Sequence, residues 1–329
     1  MSERGGAGQQ ERNEGDRVSV AAVGEFGLIE RVTARLSHGP ATLLGPGDDA
    51  AVIAAPDGRV AASTDVLVEG RHFRRDWGSA RDIGHRAAAA NLADIAAMGG
   101  TPTALLVALC MPAELELSWA EELADGLAAE AARVGASVVG GDMSASPTLT
   151  IAVTALGDLG GRAPVLRSGA RPGDVVALAG RTGYAAAGLT VLSRGFRTPR
   201  LLVEAYRRPE VPYPAGPQAA QLGATAMIDV SDGLLADLGH VAKASGVAVD
   251  VRRDAFEVPP QMRDAAQALG ADPYAWLLGG GEDHALAATF PPDVVLPAPW
   301  RPIGEVTAGS GVTVDGSPYA GSPGWDHFR

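Results

Sequence analysis

The chain has 329 residues, 46% of them hydrophobic, and a formal net charge of −12. That is enough apolar material for a substantial core, and the length favours two domains over one. The acidic balance argues against a nucleic-acid footprint, and no apolar run approaches the length needed to span a bilayer. Cys110 is the only cysteine, so an intrachain disulfide and a cysteine-built zinc site are excluded, and a reducing, cytoplasmic setting is expected. Lys243 is the only lysine.

Met1 to about Arg17 is polar and lacks the apolar core of a signal peptide, so it is expected to be a disordered tail. Gly24-Glu25-Phe26-Gly27-Leu28-Ile29 opens a helix to about Leu36. Ala51–Ala54 and Val60–Ser63 read as a hairpin about Asp57-Gly58. Ser79–Met98 is an alanine-rich helix on which Ala88, Leu92, Ile95 and Gly99 form one stripe. Asn91, Asp94 and Met98 form the next, which puts Asp94 at the border of the buried face. Thr103–Met111 is a strand. Ser118-Trp119-Ala120-Glu121 has the pattern of a capping box, opening a helix to Val134 with Gly135 as its stop. Ser137–Val139 and Thr148–Leu156 are strands on either side of a Gly140-Gly141-Asp142 turn.

Around Gly157–Gly173 the chain turns rich in Gly, Arg and Pro, and the domain boundary is placed there. This gives a tail over 1–20, an N-terminal domain over 21–160 and a C-terminal domain over 161–329. The second half reads as strand Val175–Ala179, a glycine turn Gly180–Gly183 and a helix to Gly195. Strand Ala224–Ile228 follows, then a helix Gly233–Ala244 capped by Ser231 and stopped by Gly246. Val247–Val251 is a strand, Met262–Leu269 a helix and His284–Phe290 a strand. Val306 and Val312–Val314 are short terminal strands. Mixed strands and helices with hairpins in both halves give an α+β class.

The chemistry sits in stretches expected to be short acidic turns: Gly45-Pro46-Gly47-Asp48-Asp49, Ser63-Thr64-Asp65, Gly140-Gly141-Asp142 and Asp229-Val230-Ser231-Asp232-Gly233. Each taken alone is good turn or helix-start chemistry. Four in one chain suggest a site assembled at strand ends. Two carboxylates about 4 Å apart repel by about 4 kcal/mol at an effective dielectric near 20. With one lysine in the chain, a divalent cation is the natural counter-charge. Oxygen-only donors select hard ions, Mg²⁺ over Zn²⁺, and Mg²⁺ characteristically joins carboxylates to substrate phosphates. There is no P-loop, no protein-kinase set, no His-Glu-x-x-His pair and no Gly-x-Ser-x-Gly elbow. Gly180-Arg181-Thr182-Gly183 is a weak phosphate-loop candidate.

Ten ordered motifs carry a resemblance that covers about Gly24 to Phe328. They are Gly24-Glu25-Phe26, Gly47-Asp48-Asp49-Ala50-Ala51, Ser63-Thr64-Asp65, Gly70-Arg71-His72-Phe73, Asn91 through Gly99, Gly140-Gly141-Asp142, Arg167-Ser168-Gly169-Ala170, Asp229 through Leu234, Gly280-Gly281-Glu282-Asp283 and Gly324-Trp325-Asp326-His327-Phe328. The chain resembles the thiamine-monophosphate kinase family, within the superfamily that includes aminoimidazole ribonucleotide synthetase. The resemblance implies two α/β domains, with the N-terminal sheets of two subunits joined into a barrel across a homodimer. It implies ATP and thiamine monophosphate as substrates and ADP and thiamine diphosphate as products. By motif position Asp49, Ser63, Thr64, Asp65, Asp94, Asp142, Asp229 and Asp232 would hold several Mg²⁺ ions. Gly141, Asp142, Arg167 and Ser231 would contact ATP, and His72, Glu282 and Trp325 the thiamine phosphate, with Glu282 suited to the positive thiazolium charge. The family often has an aromatic near Asp125-Gly126, and this chain has none there. The alternatives are another ATP-dependent enzyme of the superfamily, activating an amide or a selenium compound, and a non-catalytic nucleotide-binding maturation factor.

Overall fold

The computed structural model describes residues 18–46 and 50–325. The first half runs α1 (Val20–Thr33), β1 (Thr42–Leu44), β2 (Val52–Ile53), β3 (Ala61–Val68), α2 (Ala80–Ala97), β4 (Thr101–Met111), α3 (Leu117–Ala132), β5 (Ser137–Ala145) and β6 (Thr150–Asp158). The second runs β7 (Val175–Ala179), α4 (Tyr184–Ser193), α5 (Arg200–Arg207), α6 (Ala215–Leu222), β8 (Ala226–Val230), α7 (Leu234–Ser245), β9 (Ala248–Val251), α8 (Pro260–Leu269), α9 (Pro273–Gly279), β10 (Ala285–Phe290), β11 (Arg301–Thr307), β12 (Gly311–Val314) and β13 (Ser317–Pro318). Strands in the first half form a four-stranded half-barrel, order β3-β6-β4-β5, and a two-stranded pair β1-β2. The second half forms a seven-stranded sheet, order β13-β12-β9-β11-β7-β10-β8.

The half-barrel sheet has two unlike faces, as the period of two along a strand requires. Ile151, Val153 and Ala155 of β6 are fully buried and Leu67 of β3 nearly so. On the other face Val66 is 48% and Leu106 37% exposed. The seven-stranded sheet is buried on both faces toward its β8 end, where every residue of β8 and β10 is buried. Helix α2 packs on β3 and β6 of the first sheet and on β8 and β10 of the second. Its alanines 87, 88, 89, 93 and 96 are at most 1% exposed. Gly84 and Gly126 let α2 and α3 cross closely, since a Cβ on either would collide with the backbone of the other helix.

Several local expectations are corrected. Gly24, in a left-handed conformation (φ 69°), is a kink inside α1 rather than the start of a helix, and Ser19 caps the helix. The hairpin about Asp57-Gly58 does not form. β2 pairs with β1, and β3 pairs with β6 over eight residues, because that register buries Leu67 beneath α2. Gly140-Gly141-Asp142 is not a turn but the middle of β5, parallel to β4, with Gly141 opposite Val107 and Asp142 opposite Ala108. Glycine is needed at 141 because a Cβ would run into the Val107 backbone. Ser118 does not cap α3. The N-cap is Glu116, whose side chain makes no capping bond, while Leu117 donates its N–H to the Val18 carbonyl and Glu121 binds Arg31 and Arg35. A true capping box stands at α2, where Ser79 and Asp82 each accept the other's N–H.

Candidate active site

Three elements meet where the two sheets face each other across α2. From β3, Ser63 and Asp65 point toward α2, since Leu67, two residues on, is buried on that side. Ser63 Oγ donates to Asp94 Oδ2 at 2.6 Å, and the Asp65 N–H donates to Asn91 Oδ1 at 3.1 Å. Asn91 is fully buried and is held in turn by the Ala87 carbonyl. The helix stripe read from the sequence thus delivers Asn91 and Asp94 side by side to one strand. Arg86, eight residues before Asp94 on the same helix, pairs with Glu282 at 2.7 Å.

From the second sheet comes Asp229, next to last in β8, which is 4% exposed and has its Oδ2 3.3 Å from His284 Nδ1. The following turn, Ser231-Asp232-Gly233, is not stabilised by a Ser231 cap. Asp237, in the first turn of α7, accepts the N–H groups of Asp232 (3.1 Å) and Gly233 (3.0 Å) with one carboxylate oxygen. The glycine loop 279–281 runs alongside. Glu282 donates its N–H to the Ser231 carbonyl and His284 to that of Val230. Glu282 (φ 70°) and His284 (φ 51°) are non-glycine residues in left-handed backbone, a strain that persists only where surrounding contacts impose it.

The electrostatics show that these acids share one volume. Burial, with Asp229 and Asp65 nearby, pushes the Asp94 carboxyl up to about 7. Burial and the charges of Asp229, Glu282 and Asp232 raise Asp65. Burial with Asp229 and Asp232 puts Asp237 at about 7. Burial alone would lower His284, but Asp229, Glu282 and Asp94 outweigh it and raise it above the ordinary imidazole value. Its Nε2 is buried without a partner. For Glu282, burial acts upward, and Arg86 and His284 override it and hold the carboxyl below its usual range.

Among the described residues no group of three or more His, Cys, Asp or Glu side chains is arranged to hold a metal ion unaided. The donor set still fits Mg²⁺. It is oxygen-rich and self-repelling, which suits a hard cation that takes carboxylate and phosphate oxygens as ligands.

The remaining expected residues are dispersed. Asp49 lies outside the described residues. Thr64 alternates to the other face of β3, where its hydroxyl bonds Val153 O and Thr154 Oγ1. Asp142 is not beside Asp94. Register runs Val66–Ala152–Ala108–Asp142 across the sheet, three strand spacings or roughly 14 Å. Gly141 and Asp142 instead line a cavity of about 670 Å³ with Ile29, Val32 and Leu36 on one side and Leu123, Ala124 and Leu127 on the other. Pro46 and Ala50, flanking the Gly47-Asp48-Asp49 stretch, line it too. The missing aromatic at 125–126 has a structural reason: Asp125 pairs with Arg35, and Gly126 lies against the Arg81 backbone. Arg167 is exposed beside the outer edge of β8, its carbonyl bound by Ser245. His72 accepts the Val68 N–H on Nδ1 at 2.9 Å. Trp325 is 63% exposed, and its N–H donates to the Asp232 carbonyl, which sets the ring beside the acidic turn.

Sequence reading passed over Asp237 and His284. An acid four residues after a helix-opening glycine was the one available signal for Asp237. Nothing in the sequence marked His284.

Residues 47–159 match the family model described as AIR synthase related protein, N-terminal domain. The Escherichia coli hydrogenase maturation protein HypE has a TM-score of 0.71 at 20% identity over 92% of this chain and 97% of that one, a likeness of fold alone. The fold is thus that of the AIR synthase-related proteins, mixed α/β throughout. Within them, the thiamine-monophosphate kinase of Mycobacterium tuberculosis is 49% identical over 313 residues, 94% of this chain and 93% of the relative. AaThiL complexed with AMPPCP and TMP has a TM-score of 0.78 at 32% identity, covering 93% of this chain and 97% of that one. The chain belongs to the thiamine-monophosphate kinase family of enzymes.

Proposed function

We propose that the chain transfers the γ-phosphoryl group of ATP directly, in line, to the phosphate of thiamine monophosphate, giving thiamine diphosphate and ADP. The observation that carries this reading is the packing of Asp65, Asp94, Asp229 and Asp232 into one volume between the two sheets. An acceptor phosphate monoester has a second pKa near 6 and is largely a dianion at neutral pH. It needs no general base, so no residue is assigned as a dedicated acid or base.

The task of the protein is to bring two polyanions together. Asp65, Asp94, Asp229 and Asp232, with the Ser63 hydroxyl, would hold Mg²⁺, and the chemistry it would supply is the screening of negative charge between the two phosphates. Asp237 fixes the turn that presents Ser231 and Asp232. Asn91 fixes the backbone of Asp65. His72, Glu282 and Trp325 surround the acceptor, and the aliphatic cavity beside Gly141 and Asp142 takes the adenine, with contact area from Leu123 and Leu127 in place of an aromatic.

Asp142 and Thr64 sit on the open face of the half-barrel. We place a second copy of the chain there, closing a barrel across a homodimer and bringing Asp142 of one copy toward the acidic cluster of the other. The exposed apolar Val66 and Leu106 on that face support this. A free cysteine at 110 accords with a cytoplasmic setting.

The test is ADP release from ATP and Mg²⁺ with and without thiamine monophosphate, with thiamine diphosphate quantified in parallel. One ADP per thiamine diphosphate, only in the presence of acceptor, is expected. ADP release indifferent to the acceptor would overturn the reading.

A further inference from the structure

Glu282 and His72 come from opposite halves of the chain, and one buried cation connects them. Arg86 on α2 is 5% exposed and donates from Nη2 to Glu282 Oε2 at 2.7 Å. Its guanidinium carbon stands 4.2 Å from the centroid of the Tyr206 ring. Tyr206 is 4% exposed, meets Trp77 edge-on at 6.0 Å and points its hydroxyl at the His72 carbonyl, 3.4 Å away. At the other end the Glu282 N–H is bound to Ser231 O. The path Ser231–Glu282–Arg86–Tyr206–His72 therefore spans both sheets.

We propose that Arg86, seated on Tyr206, is a positioning residue that sets the acceptor end of the site, holding Glu282 as a hydrogen-bond acceptor rather than as a free negative charge. The inference rests on the phosphotransfer reading above. Two features separate it from an ordinary ion pair. The Glu282 side chain is 40% exposed while that of Arg86 is 7% exposed, so the cation is sunk and the carboxylate is presented to the cleft. Glu282 also keeps a left-handed backbone, which costs energy and aims the side chain.

Only Oε2 is engaged by Arg86. Oε1 is left to accept from the ligand, and because Arg86 offsets the charge, the matching ligand group is an N–H or O–H donor, such as an exocyclic amine, rather than a bare cationic ring.

The test compares wild type with Arg86→Met, Arg86→Lys, Tyr206→Phe, Glu282→Gln and the Arg86→Met/Glu282→Gln double variant. Each is assayed by KM for thiamine monophosphate, KM for ATP, and thiamine monophosphate binding measured by calorimetry without turnover. Arg86→Met is expected to raise the acceptor KM and Kd about tenfold or more, the size of one charged hydrogen bond, with the ATP KM within about twofold. Arg86→Lys recovers part of the loss, and it carries the test should Arg86→Met not fold. Tyr206→Phe, which keeps the ring under Arg86 but removes the hydroxyl aimed at His72, is expected to raise the acceptor KM less than Arg86→Met does, and a larger rise would overturn the assignment of the control to Arg86. In the Glu282→Gln background Arg86→Met adds little, because the two act as one unit. An ATP KM that rises in step with the acceptor KM, or an additive cycle, would overturn the proposal. Wild type that binds and turns over with an unaffected Arg86→Met sinks this inference alone. Wild type without acceptor-dependent ADP release sinks the reading beneath it.

Discussion

The acidic residues between the two sheets and those on the open face of the half-barrel differ in what completes them. Asp65, Asp94 and Asp229 are enclosed by the chain's own packing, with Asn91, Ser63 and His284 fixing their orientation. Asp142 follows two glycines in β5, at the far edge of the sheet and beside a cavity. Burial and like charge push Asp65 and Asp94 up, and a bound cation would relieve that repulsion. Asp142, at a sheet edge, would be completed by the second copy proposed above. Sequence motifs of one kind therefore carry two energetic roles.

The largest effect expected from this contrast is at Asp94. Asp94→Asn removes a buried charge, so metal-free protein at pH 8 should melt higher than wild type, while turnover falls on the order of 10³-fold. Calorimetry and the ADP assay on one preparation check both. Loss of activity with no gain in melting temperature would erase the distinction between the regions. Asp142→Ala should leave the melting temperature unchanged and weaken ATP binding by about tenfold, one charged contact. Mixed in equal amounts with Asp94→Asn under subunit exchange and assayed at ATP well below KM, where each parent alone is slow, it should restore about a quarter of the wild-type rate, since half the dimers would then hold one intact site. No recovery would place Asp142 outside a shared site.

A third prediction concerns pH. Burial pushes Asp283, which is 2% exposed and accepts the Ala185 N–H, up to about 7 from 3.8. The folded state thus holds this proton more tightly than the unfolded state. The stabilisation is full below about pH 4, declines as pH rises and is gone above about 7, on the order of a few kcal/mol. Asp283→Asn keeps the acceptor and should flatten that part of the pH–melting curve. An unchanged slope would contradict the assignment. The smallest effect is at the helix starts: Ser79→Ala should cost about 1 kcal/mol in denaturant unfolding, and Ser118→Ala less than about 0.5.

Much of the enclosed region was legible in the sequence. Asn91 and Asp94 fell out of helical spacing, and Asp229 out of its place at a strand end. What was not legible is long-range pairing. That Gly140-Gly141-Asp142 continues a strand depends on β4 lying parallel some thirty residues away, and turn-like composition gave the opposite impression. The hairpin failed for the same reason, since eight residues of β6 offered more than a local turn could. Ser118 had the pattern of a cap, but Val18 satisfied the helix instead. Asp237 and His284 are visible only once β8, α7 and the glycine loop are set against one another.

The methyl-lined surface of α2 gives distant residues control over catalysis. Arg86, Asn91 and Asp94, the three α2 residues placed at the proposed site, ride on one rod wedged between two sheets by Ala88, Ala93 and Ala96, and a Cβ on Gly216 would strike the Ala96 carbonyl. A single added carbon at such a contact would displace the whole rod and carry all three groups off target together. Tolerance to mutation in this enzyme is therefore set by clearance around a helix as much as by the chemistry it bears.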